Sequence, residues 1–324
     1  MIKDIKVEDI KIGMYVILPL AWHEHPFLKN HFLVTSLKEI SQIKQTGVKE
    51  LKIDLAKSKV MDATPPKEPP LPAAQPSHVV VPNELHEAIH DKKLPPEQKA
   101  KLVQQHSITM MSNLLENPTT ETIKEAKQGV SEVVDLILTD DETTFNLLKI
   151  TSHDYYTYTH SVSVGVLAVS LAKEYFKTSS AHDMHALGAG FFLHDLGKVN
   201  IDNAIINKPG KLTAEEMQEM RRHPALGFKL LNDTHQLTGE AKTIVLQHHE
   251  RHDGTGYPQG LRGSDIHIYG RICAIADVYD ALTAERSYKK KMAPFDALKL
   301  MHEEMKEHFH KGLFEQFVMM FRAR

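Results

Sequence analysis

Hydrophobic positions recur with a helical period over most of the second two-thirds of the chain. In segments 102–115 and 122–138 the apolar residues fall on one helical face, which predicts two amphipathic helices. The stretch from Thr213 to Glu216 matches a capping box, a pattern that begins a helix. From about residue 96 onward, the sequence therefore predicts an almost entirely helical body.

The first 60 residues have a different pattern. Short apolar runs at residues 16–18, 32–35 and 48–53 predict strands. Segment 36–46 has apolar residues at helical spacing and is followed by Gly47, a residue that favours helix ends. These elements predict a small α/β domain over residues 1–61.

A proline-rich segment separates the two patterns. Seven of the 16 prolines lie between Pro65 and Pro82, and proline removes backbone donors and favours an extended, semi-rigid chain. We expect a linker over residues 62–96, connecting amphipathic helices over 97–139, and a further helical domain over 140–324.

The composition excludes several classes of protein. The chain has 39 Lys and Arg against 42 Asp and Glu, and a net charge of -3 argues against broad binding to DNA or to anionic membranes. No apolar run approaches the ~20 residues that span a bilayer, so we expect no membrane insertion. The single cysteine, Cys273, fits a reducing compartment and core packing. We therefore expect a cytoplasmic protein.

Histidine changes this picture, because 11 of the 21 histidines lie between His153 and His267. Imidazole is the commonest transition-metal ligand in proteins. His160 shares a helical face with apolar residues, and His194 and Asp195 are adjacent at the end of the next predicted helix. A buried histidine or a helix-end His-Asp pair is, by itself, more often a packing or capping feature than a metal site.

Three further positions extend the pattern. His223 precedes a proline, which favours a helix boundary; His248 and His249 are adjacent; and Asp277 lies in an apolar helix, where an unpaired carboxylate would be costly. Each has a structural explanation, such as an ion pair for Asp277. Together, the set suffices for two divalent ions with Asp195 as the bridge, and nitrogen and oxygen ligands without thiolate suit Fe, Mn, Ni or Zn.

These residues occur in motifs that resemble the HD-GYP branch of the HD-domain phosphohydrolases. The resemblance covers roughly residues 140–324. Its motifs are HDLGK from His194, KPGKLTAEE from Lys208, HPALG from His223, HHERHDGTGYP from His248 and RICAIADVYDALTAERSYKK from Arg271. More loosely, KIGMYVILPLAW in residues 11–22 resembles an accessory domain that often precedes HD-GYP domains.

The resemblance implies a mainly α protein, an all-helical HD-domain bundle preceded by a small α/β N-terminal domain. It implies a metal-dependent phosphodiesterase that hydrolyses cyclic di-GMP to the linear dinucleotide, and in some members on to GMP, with a hydroxide bridging two metals. Iron or manganese is favoured, with nickel or zinc as alternatives. Cyclic di-GMP, GGDEF-domain proteins and a second copy of the chain are the expected partners.

The site residues carried over from the family fall into three roles. Asp195 and Lys198 would be catalytic. The metal ligands would be His160, His194, Asp195, His223, His248, His249 and Asp277. The substrate-binding residues would be Lys198, Gly256, Tyr257, Arg286 and Lys289. Members with a third metal carry a glutamate where this chain has Tyr156, so we expect two ions.

Two other functions remain open on the sequence. The same metals and lysine would serve an HD hydrolase acting on another phosphorylated nucleotide. Alternatively, the chain would be a catalytically weak cyclic di-GMP sensor that signals through a protein contact, and the amphipathic helices of residues 98–139 suit such a role. Those helices would equally dock on the catalytic core or pair in a homodimer.

Overall fold

The fold comes from a computed structural model that divides the chain into two compact units, Met1–Gln75 and Pro76–Arg324. It describes residues 2–11, 13–19, 31–34, 40, 43–44, 46–55, 57–58, 79–150, 157–177, 179–206, 208, 210–236, 238–284 and 291–321. The predicted fold class, mainly α with a small α/β unit at the N-terminus, is confirmed.

The N-terminal unit contains a four-stranded antiparallel sheet in the order β1-β4-β2-β3. Its strands are β1 (Ile2–Lys6), β2 (Tyr15–Ile17), β3 (His31–Leu33) and β4 (Glu50–Asp54). Val16 in β2 lies opposite Ile53 in β4, and both side chains are buried. Period-two alternation in β4 buries Leu51 and Ile53 and exposes Glu50 and Lys52.

Strand β1 lies outside the sequence prediction. It is an edge strand with mostly exposed side chains, so it carries no apolar run. Most of the helix predicted over 36–46 lies outside the described residues, although Ile40 and Ile43 within it are buried.

The second unit is helical throughout its described residues, apart from turns and loops. Its helices are α1 (Asn83–His90), α2 (Pro96–Glu116), α3 (Thr120–Thr139), α4 (Asp141–Lys149), α5 (Thr157–Phe176), α6 (Met184–Phe192), α7 (Asn203–Ile206), α8 (Ala214–Met220), α9 (His223–Asp233), α10 (Gly239–Gln247), α11 (Ile268–Thr283), α12 (Pro294–Glu304) and α13 (Lys311–Met319). None of these helices is long and apolar enough to cross a bilayer.

The centre of the second unit is formed by α5, α6, α10 and α11. Helix α5 packs against α6 and α11, and α6 packs against α10. Most residues of α5 from Thr159 to Ala172 are buried on all sides, as expected of a helix enclosed by others. This packing brings the ends of α6 and α10 towards the first turn of α5 and the middle of α11.

Two local predictions have different outcomes. The capping box is confirmed, because Thr213 Oγ1 accepts from the Glu216 amide at 3.2 Å and the Glu216 carboxylate accepts from the Thr213 amide at 2.7 Å. By contrast, α1 lies inside the segment assigned to the linker. Its Leu85, Ala88 and Ile89 are buried and pack against α2 and α3, which adds α1 to the folded unit.

Candidate metal centre

Each predicted ligand lies at a point where its helix approaches the centre of the bundle. His160 lies in the first turn of α5. His194 and Asp195 come directly after Leu193, the residue that caps the end of α6, and His223 is the first residue of α9. The carboxylate of Asp277 comes from the middle of α11. His248 and His249 follow the end of α10. Five helices, or the turns that follow them, therefore supply the seven ligands.

Gly197 makes one of these approaches possible. A Cβ atom at this position would overlap the backbone oxygen of His223 and the backbone of Gly227. Gly197 lies in a 3-10 turn, Leu196–Asn200, which packs directly against α9. The absence of a side chain lets His223 and Asp195 come together.

The structure brings the seven predicted ligands into two groups. One group contains Asp195, His223, His248 and His249, and the other contains His160, His194 and Asp277. Within each group, one potential ligand atom from every residue lies within 4.8 Å of the others. Such spacing allows each group to surround a single ion.

Asp195 faces both groups with its two oxygens. Its Oδ1 lies 3.2 Å from His223 Nε2 and 3.7 Å from His248 Nε2. Its Oδ2 lies 3.5 Å from Nε2 of both His160 and His194. A carboxylate in this position can bind one ion through each oxygen, and the bridging role of Asp195 stays a prediction.

Asp277 also lies between the groups. Its Oδ1 is 3.0 Å from His160 Nε2, and its Oδ2 is 3.3 Å from His249 Nδ1. Each carboxylate oxygen of Asp277 therefore faces one imidazole from a different group, and a cation bound between them would offset the cost of burying this charge.

Four of the five imidazoles share one orientation. The Nδ1 atoms of His194, His223 and His248 lie 2.7–2.8 Å from carbonyl oxygens three residues earlier in the chain, those of Phe191, Met220 and Val245. A carbonyl only accepts, so these Nδ1 atoms carry the proton and their Nε2 atoms keep a lone pair. His160 follows the same rule with Asp280 as its acceptor, at 2.7 Å. Outer hydrogen bonds of this kind are typical of metal-binding histidines.

The inner nitrogens need a cation. The Nε2 atoms of His223 and His248 are 3.1 Å apart and, in this tautomer, both carry lone pairs. Among the described residues, Nε2 of His194 is buried and has no hydrogen-bond partner. Buried polar atoms without partners are costly, and divalent ions bound to these nitrogens would remove that cost. The donor set therefore fits metal ions on the geometry alone.

The electrostatics of the centre agree with this fit. Burial lowers the pKa of His194 to about 3, although Asp195 opposes the shift. Burial also lowers the pKa values of His223 and His249, so these imidazoles stay neutral at neutral pH. For Asp195, burial raises the pKa, but Lys198 and His194 outweigh it and hold the pKa well below its usual range. Neutral imidazoles and ionised carboxylates are the protonation states that bind metals.

Lys198 lies beside the predicted bridge. Its Nζ is 2.6 Å from Asp195 Oδ2, and 13% of its side chain is exposed. The ammonium group therefore lies at the boundary between the buried ligands and solvent, where it can meet an incoming anion.

The loop after α10 places Tyr257 over the centre. Its ring centroid is 4.6 Å from that of His249, and the guanidinium of Arg221 lies 5.3 Å from the tyrosine ring centroid. Burial raises the pKa of Tyr257, so its phenol stays protonated. At Gly256, a Cβ would overlap the backbone of residues 249–251. Gly256 thus has a packing role, and its part in substrate binding stays a prediction.

Three residues of this region lie outside the sequence prediction. Asp280 orients His160, and Arg221 lies over Tyr257. Glu250 is 2% exposed and accepts hydrogen bonds from the Gln259 amide at 2.7 Å and the Leu261 amide at 2.9 Å. The sequence gives only weak indications of these roles. Asp280 lies one helical turn after Asp277, and Glu250 precedes a loop whose backbone amides need acceptors.

Arg286 and Lys289, which were predicted to bind substrate, lie outside the described residues, as does Tyr156. Their roles stay predictions.

Two family models match different segments of the chain. A family model described as "HD domain" matches residues 147–313, just over half of the chain and all seven predicted ligands. A second model, described as "Domain of unknown function (DUF3391)", matches residues 2–139. That match extends from the N-terminal sheet through α3.

Individual proteins are similar over different lengths. "Cyclic di-GMP phosphodiesterase PA4108" of Pseudomonas aeruginosa is 32% identical and aligns over 98% of this chain and 76% of its own length. "3'3'-cGAMP-specific phosphodiesterase 2" of Vibrio cholerae is 38% identical over 58% of this chain and 36% of its own length. The solved structure of an HDG"Y"P protein from Bdellovibrio bacteriovorus covers both chains completely, with 16% identity and a TM-score of 0.66, which shows the shared fold.

Proposed function

The chain belongs to the HD-domain family, and we propose that it is a metal-dependent phosphodiesterase that hydrolyses cyclic di-GMP to the linear dinucleotide. The observation that carries the proposal is the pair of His/Asp groups that share Asp195, with four imidazoles held so that Nε2 faces inward. The similarity to the Pseudomonas aeruginosa phosphodiesterase, over almost the whole chain, supports this substrate.

We propose two divalent ions, one for each group of ligands, with iron or manganese favoured over nickel or zinc. Ions at such a site lower the pKa of a coordinated water and stabilise charge on the oxygens of a phosphate ester. The chain supplies their ligands and keeps the imidazoles neutral through burial and hydrogen bonding.

Other residues of the chain bind and orient the substrate. The phosphodiester carries negative charge, which the Lys198 ammonium at the edge of the centre would offset. Tyr257 offers a neutral aromatic face to a guanine base, and Arg221 adds positive charge beside it. Glu250 holds the backbone of the loop that carries Tyr257, so the ring is presented in one place.

A second substrate deserves a direct comparison, because the chain is 38% identical to the 3'3'-cGAMP-specific enzyme over 58% of its length. Both substrates are cyclic dinucleotides with two phosphodiester groups, and the described metal ligands would serve either. The bases distinguish them, so discrimination would arise at Tyr257 and its neighbours.

The test is product chromatography on the full chain reconstituted with iron or manganese. Cyclic di-GMP and 3'3'-cGAMP are supplied separately and then together, with Asp195→Asn as the inactive control. The proposal predicts conversion of cyclic di-GMP to the linear dinucleotide and a higher kcat/KM for it than for 3'3'-cGAMP. Tight binding of cyclic di-GMP without turnover by the metal-loaded protein would identify a sensor instead.

The final product, the protein partners, the oligomeric state and the location are separate questions. Further hydrolysis to GMP, contact with GGDEF-domain proteins, a homodimer and a cytoplasmic location all remain predictions. Chromatography of late time points tests the first of them, because GMP would then replace the linear dinucleotide.

A further inference from the structure

A second concentration of histidines lies on the surface of the helical unit, where α1 meets α3. His86 and His90 are four residues apart on α1, so they lie on one face of the helix. Their ring centroids are 4.2 Å apart. Glu132 of α3 faces both rings from the neighbouring helix. We call these three residues the α1–α3 site.

The contacts within the α1–α3 site bring a ring nitrogen of each histidine towards one carboxylate oxygen. His86 Nδ1 lies 2.8 Å from Glu132 Oε2 and, because a carboxylate accepts, donates to it. His90 Nδ1 donates to the backbone oxygen of His86 at 2.9 Å. His86 Nδ1 and Glu132 Oε2 face each other, so an ion bound by all three residues would take the place of the proton that these two atoms share.

The spacing suits a single ion. One potential ligand atom from each of the three residues lies within 4.8 Å of the others, and Glu132 Oε2 is 3.9 Å from His90 Nδ1. The side chains are 62%, 57% and 34% exposed for His86, His90 and Glu132, so an ion from solution can reach them. A surface His–Glu pair adds little stability by itself and does not account for the second histidine.

We propose that His86, His90 and Glu132 bind one divalent transition-metal ion, with zinc as the best-suited ion and water completing its coordination. Two imidazole nitrogens and one carboxylate oxygen form a donor set that zinc accepts and that magnesium and calcium disfavour. The α1–α3 site uses none of the ligands of the buried centre, so the two bind metal independently.

Binding at the α1–α3 site would join two helices. Helix α1 is the first helix after the proline-rich segment and has only eight residues, of which three are buried against the bundle. An ion shared with α3 would add a link that exists only in the folded state. It would therefore slow opening of α1 in particular, because α3 already has eight residues buried in the bundle and depends less on the added link.

The experiment uses the full chain, with the buried centre preloaded with manganese and then equilibrated with zinc. Bound zinc is measured by elemental analysis in wild type, in a His86→Ala, His90→Ala double variant and in Glu132→Gln. His185→Ala is the matched control, because His185 is also an exposed histidine, 2.8 Å from a carboxylate of α3, that of Asp135. Zinc at any other place contributes equally to all variants and cancels in the difference.

The proposal predicts that wild type and His185→Ala bind one more zinc ion per chain than the double variant. It also predicts that zinc slows amide hydrogen exchange of α1 in wild type and not in the double variant. Equal zinc content in wild type and the double variant would overturn it. Repeating the comparison in the Asp195→Asn background should give the same difference of one ion, which keeps this result separate from the fate of the buried centre.

Discussion

The Nδ1 atom of His160 donates to Oδ2 of Asp280 across 2.7 Å, and both side chains are buried. Asp280 lies one helical turn after Asp277 on α11, so one helix provides both a predicted metal ligand and the group that orients another. This pair links the inner ligands to an outer layer of hydrogen bonds.

Removal of the Asp280 carboxylate should weaken metal binding without removing a ligand. We expect Asp280→Ala to lower the affinity for the ion held by His160 by about 10- to 100-fold, because the imidazole loses the partner that fixes its tautomer and orientation. Asp280→Asn should lose less, since its amide oxygen can still accept from Nδ1. Metal titration monitored by calorimetry measures both, with Asp296→Ala on the exposed surface of α12 as the control. Unchanged affinity in Asp280→Ala would show that the pair is only structural.

The ring of Tyr257 should matter more than its hydroxyl. Stacking of a base on an aromatic side chain contributes about 1–3 kcal/mol, so Tyr257→Ala should raise KM by about 5- to 150-fold and leave kcat nearly unchanged. Tyr257→Phe should keep a KM close to that of wild type. Steady-state kinetics on cyclic di-GMP provide the comparison, and an equal loss in both variants would assign the effect to the hydroxyl.

Glu250 should stabilise the loop that carries Tyr257. A glutamine has one acceptor oxygen, so Glu250→Gln would turn its amide group towards one of the two backbone N–H donors. We expect a loss of about 1–3 kcal/mol in the free energy of unfolding, together with a higher KM. Thermal unfolding of Glu250→Gln and of the exposed control Glu303→Gln checks this. Equal stability of the two variants would contradict the role.

The metal-free protein should lose stability as the pH falls from neutrality towards 4. Burial lowers the pKa of His194 from 6.5 to about 3 and also lowers those of His223 and His249. Between pH 3 and 6.5 the unfolded chain therefore binds more protons at His194 than the folded chain does, and unfolding becomes easier as the pH falls. Well inside this pH window, where the imidazole of His194 is protonated in the unfolded chain and neutral in the folded chain, His194 alone contributes a slope of up to about 1.4 kcal/mol per pH unit.

Urea unfolding of the metal-free protein at pH 7.5, 6.5 and 5.5 measures this slope. His194→Asn removes one of the buried imidazoles and should reduce this slope. If stability were constant over this range, the buried imidazoles would not be held neutral.

Helical periodicity predicted an almost entirely helical body and ligands on successive helices, whereas the bundle was implied by the family resemblance. Helix α1 was missed although Leu85, Ala88 and Ile89 lie at helical spacing, because the helix is short and directly follows the proline-rich segment. Strand β1 was missed because an exposed edge strand needs no apolar run.

The residues of the site also divide into those that the sequence named and those that it missed. Resemblance to a family named seven side chains, and the structure brings all seven into two groups. It did not name Asp280, Glu250 or Arg221, because their importance lies in which atom they contact. A carboxylate that accepts from an imidazole and one that accepts from two backbone amides look alike in sequence, and their partners are defined only by the packed fold.

The central claim is that Asp195 joins two metal ions in a catalytic centre. The most direct measurement is the metal content of wild type and Asp195→Ala after identical reconstitution with manganese, determined with the turnover of cyclic di-GMP on the same samples. We predict two tightly bound ions in wild type, and in the variant a loss of metal together with a loss of detectable turnover. Full metal content in Asp195→Ala would contradict the bridging role.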